Sequence, residues 1–223
     1  MKKGTWVMIS SPILVSIISR NLDFIILDRE HGNFSDNDIF NCINAADIDC
    51  EVFVRPSSLN EAEILHALDN GADGIIAPHI EDELMACKLS NYCKFPPYGN
   101  RGFSPYVPSC KTKEHEKYKR SANDKIKIIG IIESRKAFDN IGAIEIYLDG
   151  IYLGVYDLSC DIGTTVNSNT IKQMCIKACK ETSKDVFALY SDEQSKKFLE
   201  DIGVSHAVYK TDTWVLDDAM RNI

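Results

Sequence analysis

Eight short β-rich runs, each followed by a helical stretch, restrict what this chain can fold into more than any other feature. The runs are Thr5 to Ile9, Asp23 to Asp28, Glu51 to Arg55, Gly74 to Pro78, Lys127 to Glu133, Gly150 to Gly154, Val186 to Tyr190 and His206 to Lys210. Strands joined through a helix run parallel, because a tight turn can only link antiparallel neighbours. Amphipathic helices are expected over Asp36 to Ala46, Asn60 to Asn70, Glu81 to Tyr92, Thr170 to Glu181 and Glu193 to Asp201. Ser35 and Asn60 have the chemistry of N-caps, and Gly71 and Gly203 that of C-caps. With 223 residues there is room for one large core, so residues 1–223 are expected to form a single α/β domain. Closed (β/α)8 TIM barrels and open doubly wound sheets share this alternation, and periodicity does not separate them. The longest connection, Phe95 to Ser109, follows the fourth unit and is expected to lie over a pocket.

Composition narrows the class of partner. With 33 acidic against 25 basic residues the net charge is -8, which disfavours a phosphate backbone or an anionic membrane surface. Met1-Lys2-Lys3 and the apolar residues after it resemble a secretion signal, but Ser10-Ser11-Pro12 interrupts the run and no small-residue cleavage site follows. That segment reads as the first strand and helix. No apolar stretch is long enough for a membrane span. The eight cysteines contain no C-x-x-C pair, so reduced structural thiols in a cytoplasmic protein are expected rather than a zinc or redox motif.

Function emerges at the ends of the strands, where a barrel gathers its chemistry. Asp28, Glu30 and His31 close the second run, Arg55 the third and Glu133 the fifth; Asp157 lies just past the sixth. Charges at four such ends, behind apolar runs such as Phe24-Ile25-Ile26-Leu27, point to a site rather than to solvation.

These segments resemble, over nearly the whole chain, the metal-dependent class II pyruvate aldolases of the HpcH/HpaI aldolase and citrate lyase β-subunit superfamily. The likeness rests on Leu27-Asp28-Arg29-Glu30-His31-Gly32, Val54-Arg55-Pro56, Leu68-Asp69-Asn70-Gly71-Ala72 and Phe95-Pro96-Pro97-Tyr98-Gly99-Asn100-Arg101-Gly102. Ile132-Glu133-Ser134 and Gly154-Val155-Tyr156-Asp157-Leu158-Ser159 complete it, in the family's order. The resemblance implies the barrel rather than the open sheet. It also implies Glu133 and Asp157 as ligands of a Mg2+, Mn2+ or Co2+ ion, a hard-cation set that leaves positions for substrate. His31 would be the general base and Arg55 the stabiliser of enolate charge, with Tyr156 and Asp157 beside the substrate. Asp28 and Asp69 both have a claim to support His31. Asp69 is expected near a helix end at the opposite pole, from where it would reach a neighbouring subunit of a homo-oligomer, a trimer or hexamer. The implied reaction is reversible cleavage of a 4-hydroxy-2-oxo acid to pyruvate or a relative plus an aldehyde.

The chain departs from the family pattern where substrate would touch. Ile131 stands where members commonly have Gln, and Val155 where they have Pro. His79, after Pro78, can restore a polar contact. The last helix is short for exchange between subunits. Rival readings are a Schiff-base aldolase using Lys127 or Lys210, a lyase acting on a coenzyme A thioester, and a metal-binding protein of reduced activity.

Overall fold

In a computed structural model describing residues Met1–Ile223, β1 (Lys2–Val7) pairs in parallel with both β2 (Phe24–Asp28) and β8 (His206–Thr211). That double pairing closes the sheet. Between them run β3 (Glu51–Arg55), β4 (Gly74–Ala77), β5 (Lys127–Ile132), β6 (Gly150–Leu153) and β7 (Asp185–Tyr190), each bonded to its neighbours in sequence. The chain is a closed (β/α)8 barrel, and the open alternative is excluded. All eight predicted strands form. The first starts earlier than its apolar pattern suggests, because Lys2 and Lys3 are charged yet pair through their backbone with His206 and Ala207.

The helices follow the caps. In α2 (Asp36–Ala45), Ser35 and Asp38 form a reciprocal capping box; Asn60 caps α3 (Glu61–Asn70), which ends at Gly71 with φ +106°. α1 (Pro12–Ile18), α4 (Glu83–Cys93), α9 (Asn169–Glu181), α10 (Glu193–Asp201) and α11 (Asp212–Arg221) complete the expected set. Four further helices escape the pattern: α5 (His115–Lys125), too charged to show an apolar stripe, and the short α6 (Arg135–Asp139), α7 (Ile141–Ile144) and α8 (Val155–Asp161). No helix is long and apolar enough to cross a membrane.

Two apolar layers hold the barrel. Residues facing the helices form one cluster; Trp6, Phe24, Ile26, Phe53, Ile76, Ile129, Ile131, Tyr152, Phe187 and Val208 fill the interior. Burying one such side chain contributes about 1.5–3 kcal/mol, so the interior is a packed plug rather than a pore. At the amino-terminal pole Phe24, Phe53 and Phe187 meet edge to face, and the buried His206 ring stacks on Phe187 at 4.1 Å.

Burial holds the His206 pKa below the usual histidine value, with Lys2 and Lys127 adding to the shift and Asp185 and Glu51 opposing it. A depressed histidine costs nothing while both states are neutral. Below about pH 6.5 the unfolded chain takes up a proton that the folded chain resists, so stability falls with acidification. His206→Phe, which keeps the ring stack, is therefore expected to show a shallower loss of Tm between pH 7 and pH 5 than the natural protein. Parallel Tm profiles would show that His206 makes no such contribution.

The Phe95 to Ser109 connection is a correction to the sequence reading. It follows α4 rather than β4, which puts it at the amino-terminal pole, away from the mouth of the barrel. Its contacts agree: Ser109 N–H donates to the Asp69 carbonyl near the end of α3 (3.0 Å), and Phe95 N–H to Asn123 of α5 (2.7 Å). A connection that follows a helix returns the chain to the pole where the next strand begins.

Candidate active site

Asp28 and Arg55 are register partners on β2 and β3. Alternation along the strands continues the interior rows Phe24–Ile26–Asp28 and Phe53–Arg55 up to the mouth. Arg55 Nε donates to Asp28 Oδ1 (2.8 Å) and Nη2 to Oδ2 (2.6 Å), while Nη1 lies 2.9 Å from Glu30 Oε2. Burial opposes the arginine's charge, but the hydrogen bonds and charge of Asp28, helped by Glu30, outweigh it and hold the Arg55 pKa above its ordinary value. The guanidinium carbon sits 4.3 Å over the Trp6 ring, whose indole N–H donates to the Tyr152 hydroxyl at 2.7 Å. Burial pushes the Tyr152 phenol upward, so it stays protonated. A guanidinium has five N–H donors. These contacts leave donors free to face the cavity.

The turn after β2 is tied to the same carboxylate. Asp28 Oδ1 also accepts the backbone N–H groups of Glu30 (3.0 Å) and His31 (3.3 Å). The following Gly32 passes so close to Asp28 and Met8 that a Cβ there would lie 2.2 Å from the Asp28 carbonyl oxygen. A side chain would unseat the turn. His31 is exposed on this anchored turn and lines the cavity formed with Asp28 and Arg55.

Glu133 follows β5 and is buried, whereas Asp157 lies in the first turn of α8, where a negative charge suits the helix dipole. Gly154 lets that turn approach: a Cβ there would lie 2.6 Å from the Glu133 Cβ. Both carboxylates line a cavity of about 550 Å³ shared with Trp6, Asp28, His31 and Arg55, and both reach a smaller one of about 180 Å³ beside His79. Burial, followed by the charges of Asp157 and Glu30, raises the Glu133 pKa, while His79 opposes the shift through its N–H and its charge. Arg135 neutralises neither carboxylate; it faces Asp139 at 3.5 Å, and Ser134, not Glu133, caps α6.

The predicted residues therefore separate into two groups. Asp28, His31, Arg55, Glu133, Tyr156 and Asp157 line one cavity. Asp69 does not join them: its carboxylate accepts from Arg101 (2.8 Å), a fully buried arginine of the loop at the other pole. Asp28 bonds to Arg55 and to the backbone N–H groups of Glu30 and His31 rather than to the His31 ring. Neither lysine named for a Schiff base lines this cavity: Lys127 begins β5 at the amino-terminal pole, beside His206. Lys210 pairs with Asp218, which raises its pKa, and lies 5.1 Å from the Trp214 ring; a protonated amine is no nucleophile. Trp6 and Tyr152 are site components that the sequence reading does not name, although the period of two along β1 and β6 places both in the interior rows.

Residues 2–199 match the family model described as HpcH/HpaI aldolase/citrate lyase. The chain belongs to that family. It is 28% identical to a 2-keto-3-deoxy-L-rhamnonate aldolase of Klebsiella pneumoniae over 165 residues, covering 72% of this chain and 62% of that protein, less than two thirds of its length. A protein of the same name from Salmonella paratyphi A is 24% identical across 98% of this chain and 86% of its own. The fold matches the crystal structure of a HpcH/HpaI aldolase/citrate lyase family protein from Burkholderia cenocepacia with a TM-score of 0.92, at 22% identity, over 99% of this chain and 92% of that one.

In this member of the HpcH/HpaI family two carboxylates and an apolar wall share the cavity. Ile131 and Val155 line the cavity where the resemblance led to Gln and Pro, so that side of the pocket is apolar. The fit to a divalent cation rests on the donor set. Two carboxylates in one cavity, one of them strained by burial and by the charge of the other, have no lysine or arginine partner, and a cation would relieve that repulsion. No cluster of three or more His, Cys, Asp or Glu side chains is arranged to hold a metal. The chain thus offers two oxygen donors, which suits an ion that retains water and admits substrate.

Proposed function

We propose that this chain is a divalent-cation-dependent aldolase that reversibly cleaves a 4-hydroxy-2-oxo acid to pyruvate or a related 2-oxo acid plus an aldehyde. The observation that carries the reading is the meeting of Glu133 and Asp157, two carboxylates without a lysine or arginine partner, in the cavity that also holds Arg55 and His31. Membership of the HpcH/HpaI family and the names of the relatives support the same chemistry.

Glu133 and Asp157 would hold Mg2+, Mn2+ or Co2+, which when bound supplies Lewis acidity as the enolate of the 2-oxo acid develops. Arg55, fixed by Asp28 and Glu30, directs its remaining N–H donors at the oxygen that gains charge. Because it is already ordered, it stabilises that charge without reorganising. His31 sits at the mouth and moves the proton between the substrate and water, imidazole being suited to both directions near neutral pH. Tyr156 borders the cavity where the aldehyde portion would extend. The apolar face of Ile131 and Val155 favours an acceptor with little polarity on that side.

Asp69, remote from His31 in its own chain, supports the His31 ring only if another copy delivers it; a trimeric or hexameric assembly is the reading this favours. Eight unpaired thiols accord with a reducing cytoplasm. In D2O, protein freed of metal with EDTA is expected to lose the exchange of pyruvate methyl protons and to regain it with Mg2+, Mn2+ or Co2+. Full exchange after rigorous chelation rejects the mechanism. A catalytically reduced cation-binding protein, the reading favoured by Ile131 and Val155, would bind Mn2+ and show no exchange under any condition.

A further inference from the structure

His79 stands directly above β4 in the left-handed region, with φ +57°. Few residues other than glycine adopt that conformation, although histidine is among the more tolerant. The consequence is convergence of two nitrogens on one carboxylate oxygen. The His79 backbone N–H donates to Glu133 Oε1 at 2.6 Å, and its ring Nδ1 lies 2.9 Å from the same oxygen. Its other ring nitrogen, Nε2, lies 3.1 Å from Glu30 Oε1. Glu30 in turn meets Arg55, so contacts run without a break from Asp28 through Arg55, Glu30 and His79 to Glu133.

We propose that His79 is the positioning residue of the cation site: its backbone N–H donor and its ring nitrogen both engage Glu133 Oε1, leaving Oε2 as the oxygen presented to a divalent ion. The inference rests on Glu133 being a cation ligand. A carboxylate gripped through one oxygen cannot rotate freely, so the second oxygen keeps its aim before any ion arrives. Groups of this kind, which orient a ligand without touching the ion, commonly change metal affinity 10–100-fold when removed. The histidine side chain is 62% exposed, so solvent competes for both ring contacts.

The test is calorimetric titration of the metal-free protein with Mn2+ alone, which reads binding without substrate or turnover. His79→Ala keeps the backbone donor and loses both ring contacts. His79→Asn tolerates positive φ and returns an N–H at the position of Nδ1, but does not reach Glu30. His79→Gly fits φ +57° without strain and stands in for alanine should His79→Ala unfold, as its thermal transition would show. Expected are a loss in Mn2+ affinity of about tenfold or more for His79→Ala or His79→Gly, and for His79→Asn a value closer to the natural protein than to them. A smaller loss, tighter binding, or an asparagine variant no better than alanine overturns the proposal. Glu133→Gln separates the two levels: if it binds Mn2+ like the natural protein, the reading of Glu133 fails, whatever His79 does.

Discussion

Glu133→Gln and Asp157→Asn are each expected to slow the cation-dependent exchange of pyruvate methyl protons about a thousandfold, roughly 4 kcal/mol at 1.4 kcal/mol per factor of ten. The loss should come without unfolding. Glu133 is buried beside Asp157 and Glu30, and its raised pKa shows that the folded protein disfavours its charge. A neutral amide of the same shape relieves that cost and still accepts the His79 N–H through its carbonyl oxygen. The Tm of Glu133→Gln should therefore equal or exceed that of the natural protein while exchange disappears. Either variant retaining more than about a tenth of the exchange rate would show that its carboxylate does not carry the chemistry.

Arg55→Met should combine a large loss of stability with a large loss of rate. It removes the only arginine bonded to Asp28, a carboxylate almost wholly shielded from water. Breaking a buried pair by deleting one partner typically costs about 3–5 kcal/mol, because the other charge is left uncompensated. The rate should fall a further ~100–1000-fold, the usual effect of losing one preorganised donor to a developing oxyanion. A second substitution separates these effects. In the double variant Asp28→Asn with Arg55→Met no buried charge remains, so most of the Tm returns while activity does not. Recovery of exchange in the double variant would mean that the guanidinium serves the fold alone. A single variant as stable as the natural protein would mean that Asp28 is better solvated than its burial implies.

The alternation of strand and helix was legible because most strands carry apolar residues on both faces and several helices announce their start, as Ser35 and Asn60 do with side-chain oxygens that accept N–H groups of the first turn. Closure came from the family resemblance alone, because the pairing of Lys2 with His206 joins the two ends of the chain and leaves no local signature. The site was readable wherever it lay on a strand. Asp28, Arg55 and Glu133 extend interior rows already marked by Phe24, Phe53 and Ile129. Asp157 required the likeness of its motif to a known family, since the short α8 has too few residues for a period. Connections were the weakest part of the reading. Phe95 to Ser109 was placed at the mouth when its position after a helix puts it at the other pole. The grip of His79 on Glu133 depends on a backbone angle that composition does not reveal.

The central claim is that Glu133 and Asp157 share one cation at the barrel mouth. Anomalous diffraction from crystals of the metal-free protein soaked in Mn2+ tests it directly. The account predicts one strong peak per chain, within about 2.0–2.3 Å of a carboxylate oxygen of each residue, the usual reach of oxygen ligands to such ions. A fully soaked crystal with no peak there, or with its strongest peak elsewhere in the chain, would contradict it.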